Sequence, residues 1–423
     1  MYPNGHDSER YDNAEDVLWL PMTTEDFTGP CIVSGDGARV IDAEGQDYLA
    51  ATSGLWNLHL GYGDHRVTAA IVEQAQRLPY ATLFRYRHDQ AIKLAAALVE
   101  LAPPRIATCF FTCSGGTAVD TALKAVRKYW DLEGQPRRKT VFALDGSYHG
   151  ATIGSMSVSE AAGSVEAYGI DRRNVQFLRW DVDADEPDVT ALRARLEASA
   201  IECAAVIVEP VQGSYIRALS RAFVGELRAL RDELGFLLIV DEVTTGFGRT
   251  GDLFASNWLQ LDPDVMLLGK GLNAGYLPLG AALFSRRICE AFRGRDVMFQ
   301  NGETQGGNPI ACAAALATLG RLDSEDLLRS VEAKGRALLK GLETLQGNGV
   351  VRRIRGFGLM IAVLLEQGSG AEAPWQVVTR LQSAGVIVHA MPGGIALLPP
   401  LTLTDEDIQE LLRRCGTVLS PRV

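Results

Sequence analysis

The feature that most constrains the fold is a regular alternation of short apolar runs with amphipathic stretches through the middle of the chain. The apolar runs are TCFFTC (108–113), TVFALD (140–145), AAVIVEP (204–210), FLLIVDEV (236–243) and DVMLLGKG (264–271). Each is almost continuously apolar, which is typical of a strand buried on both faces of a parallel sheet. The stretches 117–130 and 222–235 have helical patterns. The alternation predicts an α/β fold with a central, mostly parallel sheet flanked by helices.

The pattern changes near residue 320. A long, charged amphipathic helix is predicted over 319–346, short strands follow, and a final helix is predicted from about Asp405. This succession is typical of a smaller α+β domain. We therefore predict three parts, which are an N-terminal segment packing with the small domain (1–58), a large domain (59–320) and a C-terminal small domain (321–423).

Composition and charge argue against several classes of protein. The chain has 423 residues, 47% of them hydrophobic, which is enough for a large core and at least two domains. The formal net charge is −11, and without a basic block nucleic acid is not an expected partner. No apolar run reaches the roughly 18 residues of a membrane span, so a membrane is not expected either.

The cysteines, the histidines and the N-terminus bear on compartment and metals. The seven cysteines are odd in number and form no CxxC motif, which favours reduced thiols in a cytoplasmic setting. The six histidines include no HxH or HExxH spacing, so no metal is predicted. The first residues are polar and acidic, unlike a secretory signal. We expect a cytoplasmic protein.

The strongest local signal is LLGKGLNAGYLPLGA at 267–281, in which Lys270 follows an apolar run and lies between Gly269 and Gly271. Small neighbours allow a bulky group to approach the amine, and apolar surroundings lower the pKa of a lysine. A lysine that forms a Schiff base needs both. For an isolated GKG, a surface lysine in a glycine turn would be the better interpretation.

Two other segments favour the chemical interpretation. Asp241 ends a predicted buried strand, where ligands collect in open α/β sheets, and a protonated pyridine nitrogen would balance its buried charge. Gly115 and Gly116 lead directly into a predicted helix, whose free N–H groups and dipole favour a phosphate. Taken singly, a strand-end aspartate that caps a turn and a tight helix start explain these features equally well.

In order along the chain, several motifs resemble those of class III (omega-type) aminotransferases, which are pyridoxal-phosphate (PLP) enzymes of fold type I. The resemblance runs from about residue 30 to the C-terminus, and in motif text it is nearest to amine:pyruvate and diaminopelargonate aminotransferases. The motifs are TCSGGTAVDTALKAVR, SYHGATIGSMSV, VEPVQG, LLIVDEVTTGFGRTG, LLGKGLNAGYLPLGA, ETQGGNPIACAAALA and IRGFGLM. The resemblance implies pyridoxal 5'-phosphate as the cofactor.

The resemblance also implies a role for each matching residue. Lys270 forms the internal aldimine and carries a proton, and Asp241 pairs with the pyridine nitrogen. Val243 packs on one face of the ring and Tyr148 on the other. The implied cofactor-binding set is Ser114, Gly115, Gly116, Thr117, Tyr148, His149, Glu209, Asp241, Val243, Lys270 and Thr304.

Two further implications concern the phosphate. The family's threonine in T-x-G-G-N-P reaches the phosphate from the other subunit, and it corresponds to Thr304 here, which implies a homodimer with composite active sites. The family usually reads S-G-S followed by an acidic residue, where this chain reads Ser114-Gly115-Gly116-Thr117. One hydroxyl is lost, so we expect somewhat weaker cofactor binding in the same mode.

Departures from the family point to the substrate. Ornithine-type and acetylornithine-type members have a carboxylate-binding arginine where this chain has Ala151, and a glutamate–arginine pair where it has Ser214 and Ala396. Diaminopelargonate enzymes have an aspartate at the Ala151 position, paired tryptophans at Leu55-Trp56 and an arginine that aligns loosely with His389. Amine:pyruvate enzymes often have a mobile arginine near the position of Asp405. Neither specificity carries over intact.

The predicted substrate residues are therefore Leu55, Trp56, Tyr148, Ala151 and His389. A plain core role for Trp56, and a surface or interface role for Arg85 and Arg87, remain open. We hypothesise an omega-type aminotransferase with an apolar pocket, in natural-product biosynthesis, that transfers an amino group from an amine or amino-acid donor to a ketone or aldehyde acceptor. Alternatives are an amino-acid racemase, epimerase or aminomutase of the same family, or a catalytically silent PLP-binding protein. A nicotinamide dehydrogenase is disfavoured because no GxGxxG follows an early strand.

Overall fold

A computed structural model describes residues 18–23, 29–163, 165–181, 187–295, 297–322, 325–368 and 371–421. Part of the predicted N-terminal segment (residues 1–17 and 24–28), including the residues interpreted as unlike a secretory signal, lies outside this description. The seven cysteines are all described, and all are free. No helix in the described ranges combines the length and the apolarity that crossing a membrane requires.

The strands are β1 (Ile32–Asp36), β2 (Arg39–Asp42), β3 (Asp47–Ala50), β4 (Ile106–Thr112), β5 (Thr140–Leu144), β6 (Val175–Leu178), β7 (Cys203–Val208), β8 (Val211–Gln212), β9 (Arg217–Ala218), β10 (Leu237–Asp241), β11 (Val265–Leu268), β12 (Gly280–Ser285), β13 (Val351–Phe357), β14 (Met360–Leu365), β15 (Val386–Ile387), β16 (His389–Met391) and β17 (Gly394–Leu397). The helices are α1 (Ser53–Trp56, a single distorted turn), α2 (His65–Arg77), α3 (Asp89–Leu101), α4 (Gly115–Leu132), α5 (Ile153–Ser157), α6 (Val189–Ala198), α7 (Arg221–Leu234), α8 (Ala255–Leu259), α9 (Arg286–Arg293), α10 (Pro309–Leu322), α11 (Glu325–Glu343), α12 (Pro374–Ser383) and α13 (Asp405–Leu419).

The central sheet has seven strands in the order β4-β12-β11-β10-β7-β5-β6. Every pairing is parallel except the two made by β12, which runs antiparallel to both β11 and β4. All residues of β7, β10 and β11 are buried, as their continuous apolar runs predicted. The predicted α/β fold with a mostly parallel sheet is confirmed.

The carboxyl edge of this sheet collects the segments that carry chemistry. Strand β4 leads into Ser114 and Gly115, β10 ends at Asp241, and β11 leads through Gly269 into Lys270. Strands β5 and β7 run in the same direction, and Glu209 directly follows β7. Ligands bind at this edge in open α/β sheets, so the topology alone brings distant segments of the chain together.

Two smaller sheets involve the ends of the chain. Strands β1, β2 and β3 form one sheet with β15, in which Val386 pairs with Leu49 and Ile387 with Ala50. Strands β13, β14, β17 and β16 form the other. Pairing of β3 with β15 ties the N-terminal segment to the C-terminal region, which supports the proposed three-part division. The predicted final helix is confirmed as α13.

Candidate active site

The amino group of Lys270 lies at the centre of the candidate site. It donates a hydrogen bond of 2.5 Å to the hydroxyl of Thr244, and it lies 4.9 Å from the centre of the Trp56 ring. Burial lowers the pKa of Lys270 to about 8. With this pKa about a tenth of the amine is neutral at pH 7, and only the neutral amine can act as a nucleophile.

Asp241 and His149 form a buried pair. The imidazole Nδ1 of His149 lies 2.8 Å from Oδ2 of Asp241, and the backbone amide of Val243 donates to Oδ1 at 3.0 Å. Burial disfavours the charged form of His149, but the hydrogen bond and charge of Asp241 outweigh it and raise the pKa of His149. A carboxylate has about four acceptor positions, so Asp241 retains capacity for another donor.

Glu209 connects two backbone segments at the carboxyl edge of the central sheet. Its carboxylate accepts the amide of Tyr148 at 3.1 Å and the amide of Gly213 at 2.9 Å. Burial raises the pKa of Glu209 to about 7. The bond to Tyr148 holds the 148–149 segment, which contains both the predicted ring-stacking residue and the partner of Asp241.

The glycines around Val243 allow close packing. A Cβ atom at Gly115 would lie 2.8 Å from Val243 Cγ1, and one at Gly269 would lie 3.3 Å from both Val243 Cγ1 and the Cα of Gly115. Val243 is therefore enclosed between the start of α4 and the residue before Lys270. A larger residue at position 115 would push Val243 out of place.

The start of α4 is closed by a capping box. The hydroxyl of Ser114 accepts the amide of Thr117, and the hydroxyl of Thr117 accepts the amide of Ser114. The side chains of Ser114 and Thr117, both in the predicted cofactor-binding set, are thus engaged with each other. The amides of Gly115 and Gly116 belong to the first turn, where N–H groups have no partner within the helix.

The predicted substrate residues lie at different depths. Trp56, whose φ is +64°, packs edge-on against His389 with ring centres 5.3 Å apart. Gly213 makes room for it, since a Cβ there would lie 3.1 Å from the indole. Trp56 is half-buried, whereas Leu55, Ala151 and His389 are exposed. Trp56 and His389 thus belong to the wall next to Lys270.

Thr304 lies apart from this cluster, on the surface of its own chain. Its backbone carbonyl accepts a hydrogen bond of 2.9 Å from the hydroxyl of Tyr80. The preceding residue, Glu303, accepts the amide of Cys113 at 2.8 Å. The loop is therefore held close to the β4–α4 connection, while the side chain of Thr304 is open to solvent.

Sequence reasoning missed Thr244 and Arg249. Thr244 lies three residues after Asp241, within the motif LLIVDEVTTGFGRTG. Its hydroxyl group, so close to Asp241 in sequence, was the signal that could have identified it as a site residue. Arg249 is fully buried and donates to the carbonyls of Leu359 and Pro399 and, at 3.4 Å, to the hydroxyl of Ser53. Burial lowers the pKa of Arg249 to about 9. It braces the turn that carries Trp56, a role that residue type alone does not indicate.

These groups match the chemistry of pyridoxal phosphate. The glycine amides at the start of α4 suit a phosphate, the carboxylate of Asp241 suits a protonated ring nitrogen, and the amine of Lys270 suits an aldehyde. The close packing of Gly115 and Gly269 on Val243 leaves an aliphatic side chain to line the site. The residues present fit the cofactor.

Comparison with known proteins agrees with the chemistry of this site. The aminotransferase class-III family matches residues 23–419. Adenosylmethionine-8-amino-7-oxononanoate aminotransferase of Geobacter sulfurreducens is 33% identical, over 93% of this chain and 94% of the relative. Acetylornithine aminotransferase of Xylella fastidiosa is 32% identical, over 97% of this chain and 98% of the relative.

Among solved structures, a PLP-bound amine transaminase from an uncultivated Pseudomonas species has a TM-score of 0.89 and 33% identity, and the match covers 96% of this chain and 99% of that one. Family, fold and full-length similarity therefore agree. The chain belongs to the class-III aminotransferase family and is a PLP-dependent aminotransferase that acts on small-molecule amine and keto substrates.

Proposed function

We propose that this aminotransferase is omega-type and accepts amines that lack a carboxylate on the reacting carbon, passing the amino group to a ketone or aldehyde. The observation that carries the proposal is the wall next to Lys270. Trp56 and His389 form it, and Trp56 packs on an apolar cluster that includes Ala396, which is fully buried. No arginine stands at positions 151, 214 or 396 to pair with a substrate carboxylate.

The electrostatics of the wall support this substrate class. Partial burial and the charge of Lys270 lower the pKa of His389, so it is neutral near pH 7. Arg249 is committed to carbonyls behind the turn of Trp56. A substrate carboxylate would therefore gain little binding free energy at this wall, whereas an apolar substituent gains binding free energy from burial against the indole ring of Trp56.

The catalytic roles follow from the same geometry. Bound pyridoxal phosphate supplies an electron sink for the pair left on the donor carbon when its proton is removed. Lys270 would take that proton and deliver it to the cofactor carbon on the other side of the amino nitrogen, because part of its amine is neutral near pH 7. Asp241, held by His149, would pair its carboxylate with the ring nitrogen of the bound cofactor. Glu209 fixes the backbone of Tyr148 so that its side chain can cover the ring.

We also propose a homodimer in which Thr304 completes the partner's site. Exposure of Thr304 on its own chain supports this, since the side chain is open to a second subunit. Phe84 is 60% exposed and lies against Gly302 in the same region. An exposed aromatic side chain beside the loop of Thr304 is what a subunit contact would cover.

The test compares donors with pyruvate as the acceptor. We expect 1-phenylethylamine to be used with a kcat/KM at least about tenfold higher than ornithine or acetylornithine, because the latter two need a carboxylate partner. Lys270→Ala should lower kcat by a factor of about 10² or more, whereas a merely structural lysine would be tolerated. A preference for ornithine or acetylornithine would contradict the substrate class. Loss of donor protons without transfer to pyruvate would indicate a racemase instead.

A further inference from the structure

Two groups contact the free amine of Lys270. The hydroxyl of Thr244 accepts its hydrogen bond at 2.5 Å, and the face of the Trp56 ring lies 4.9 Å away. A hydroxyl oxygen and an aromatic face both interact more favourably with an ammonium ion than with a neutral amine. The arrangement is therefore specific for the protonated form of the lysine.

We propose that Thr244 and the face of Trp56 form a seat for the protonated amine of Lys270, and that Thr244 is a positioning residue for proton transfer. The proposal rests on the proposed role of Lys270 as proton carrier. Each turnover requires this amine to hold a proton for a time and then to deliver it to a second atom. A fixed acceptor keeps the ammonium within reach of both positions.

Both sides of the seat are held firmly. Thr244 is only 8% exposed and lies in the connection that follows β10, three residues from Asp241. Its β-branched side chain has few rotamers, so its hydroxyl has a well-defined direction. Trp56 is confined between His389 and Gly213. A preorganised seat costs little to form when Lys270 is released from the cofactor.

The charges around Lys270 do not by themselves provide this seat. Asp241 and Glu209 favour its protonated form, whereas burial and Arg249 disfavour it. His59 and His389 have lowered pKa values and add no positive charge near neutral pH, whereas the pKa of His149, which contacts Asp241, is raised. Burial dominates, and the pKa of Lys270 is lowered to about 8. The hydrogen bond to Thr244 is a separate contact that favours the protonated amine.

The experiment uses the full-length protein saturated with pyridoxamine phosphate, in which Lys270 is not bonded to the cofactor. The rate at which acetic anhydride acylates Lys270 is followed against pH by peptide-resolved mass spectrometry. We expect a midpoint near pH 8 for the unaltered protein. In Thr244→Val the midpoint should fall by about one pH unit, because a hydrogen bond to a charged group is lost.

Kinetics of transfer to pyruvate supply the second measurement. In Thr244→Val we expect kcat to fall about tenfold and the donor KM to stay within about twofold, since the lost interaction acts on the transferred proton. Thr244→Ser keeps the hydroxyl and should restore both the midpoint and kcat. Thr318→Val, which removes a buried hydroxyl bonded to the carbonyl of Ala314, is the matched control and should change neither.

The outcomes separate this proposal from the proposed function. An unchanged midpoint and kcat in Thr244→Val, or changes that Thr244→Ser does not reverse, would overturn the seat while Lys270→Ala still abolished transfer. Full activity in Lys270→Ala would overturn the proposed role of the lysine itself. If Thr244→Val does not fold, Thr244→Ala tests the same loss of hydroxyl with the same expected shift.

Discussion

His149 Nδ1 lies 2.8 Å from Oδ2 of Asp241, and both side chains are buried at the carboxyl edge of the central sheet. This contact gives the aspartate a partner that comes from the chain itself. A carboxylate buried without compensation would be costly, so the hydrogen bond with the imidazole offsets part of the cost of burying Asp241. The site is thus organised before the cofactor binds.

Replacing His149 by leucine should destabilise the protein. The carboxylate of Asp241 would keep only the amide of Val243, and breaking a buried pair by removing one partner costs roughly 3–5 kcal/mol. We expect a lower melting temperature by calorimetry of the cofactor-free protein. Asp241→Asn in the same background should recover part of the loss. Strictly additive effects of the two changes would show that the pair is not coupled.

Gly115→Ala should weaken cofactor binding. The new methyl group would lie 2.8 Å from Val243 Cγ1, so Val243 must move from the face that the ring would contact. We expect about a tenfold higher dissociation constant for PLP, measured by absorption titration.

Gly225→Ala is the control for Gly115→Ala, because Gly225 lies within α7 and a Cβ atom there would meet no atom within 4 Å. It should leave PLP affinity unchanged and stabilise the helix slightly. Val243→Ala should relieve the clash in the Gly115→Ala protein. Failure of that second change to improve binding would place the defect elsewhere.

Glu209 should make the stability of the cofactor-free protein depend on pH. Because burial raises its pKa to about 7, the folded state binds the proton more tightly than the unfolded chain does. The resulting stabilisation is fully present below the ordinary glutamate value and is lost as the pH rises through about 7. About 1 kcal/mol should be lost between about pH 6 and pH 8.

Glu209→Gln removes this titration, so its melting temperature should fall less than that of the unaltered protein over the same pH interval. The difference between the two proteins isolates Glu209 from other groups that titrate in both. An identical pH dependence would mean that the carboxyl group is not the source.

Subunit complementation should reveal the proposed composite site. Lys270→Ala and Thr304→Ala homodimers each carry two defective sites, whereas their heterodimer carries one intact site. After the two proteins are unfolded and refolded together, activity should return to about a quarter of the normal value, since half of the dimers are mixed. The control is each variant unfolded and refolded alone. No recovery in a verified heterodimer would place Thr304 in its own subunit's site, whereas full activity of the Thr304→Ala homodimer would place it outside both sites.

Much of the fold and the order of the site segments could be predicted from sequence. Continuous apolar runs identified β7, β10 and β11, because a strand covered on both faces has no polar positions. The strand end at Asp241, the glycine pair that opens α4 and the lysine after β11 were all predicted and are confirmed as structural features. These features depend on residues that are close together in the sequence, so short sequence patterns are enough to predict them.

Only the tertiary structure decided which side chains meet. Thr244 contacts Lys270 across 26 residues, and His149 contacts Asp241 across 92. Trp56 reaches Lys270 because its backbone adopts a positive φ and Gly213 leaves space for the ring, and neither condition is visible in a hydrophobic pattern. Periodicity records which positions are buried, whereas hydrogen-bond partners depend on loop conformations and on strand order, which long-range packing sets.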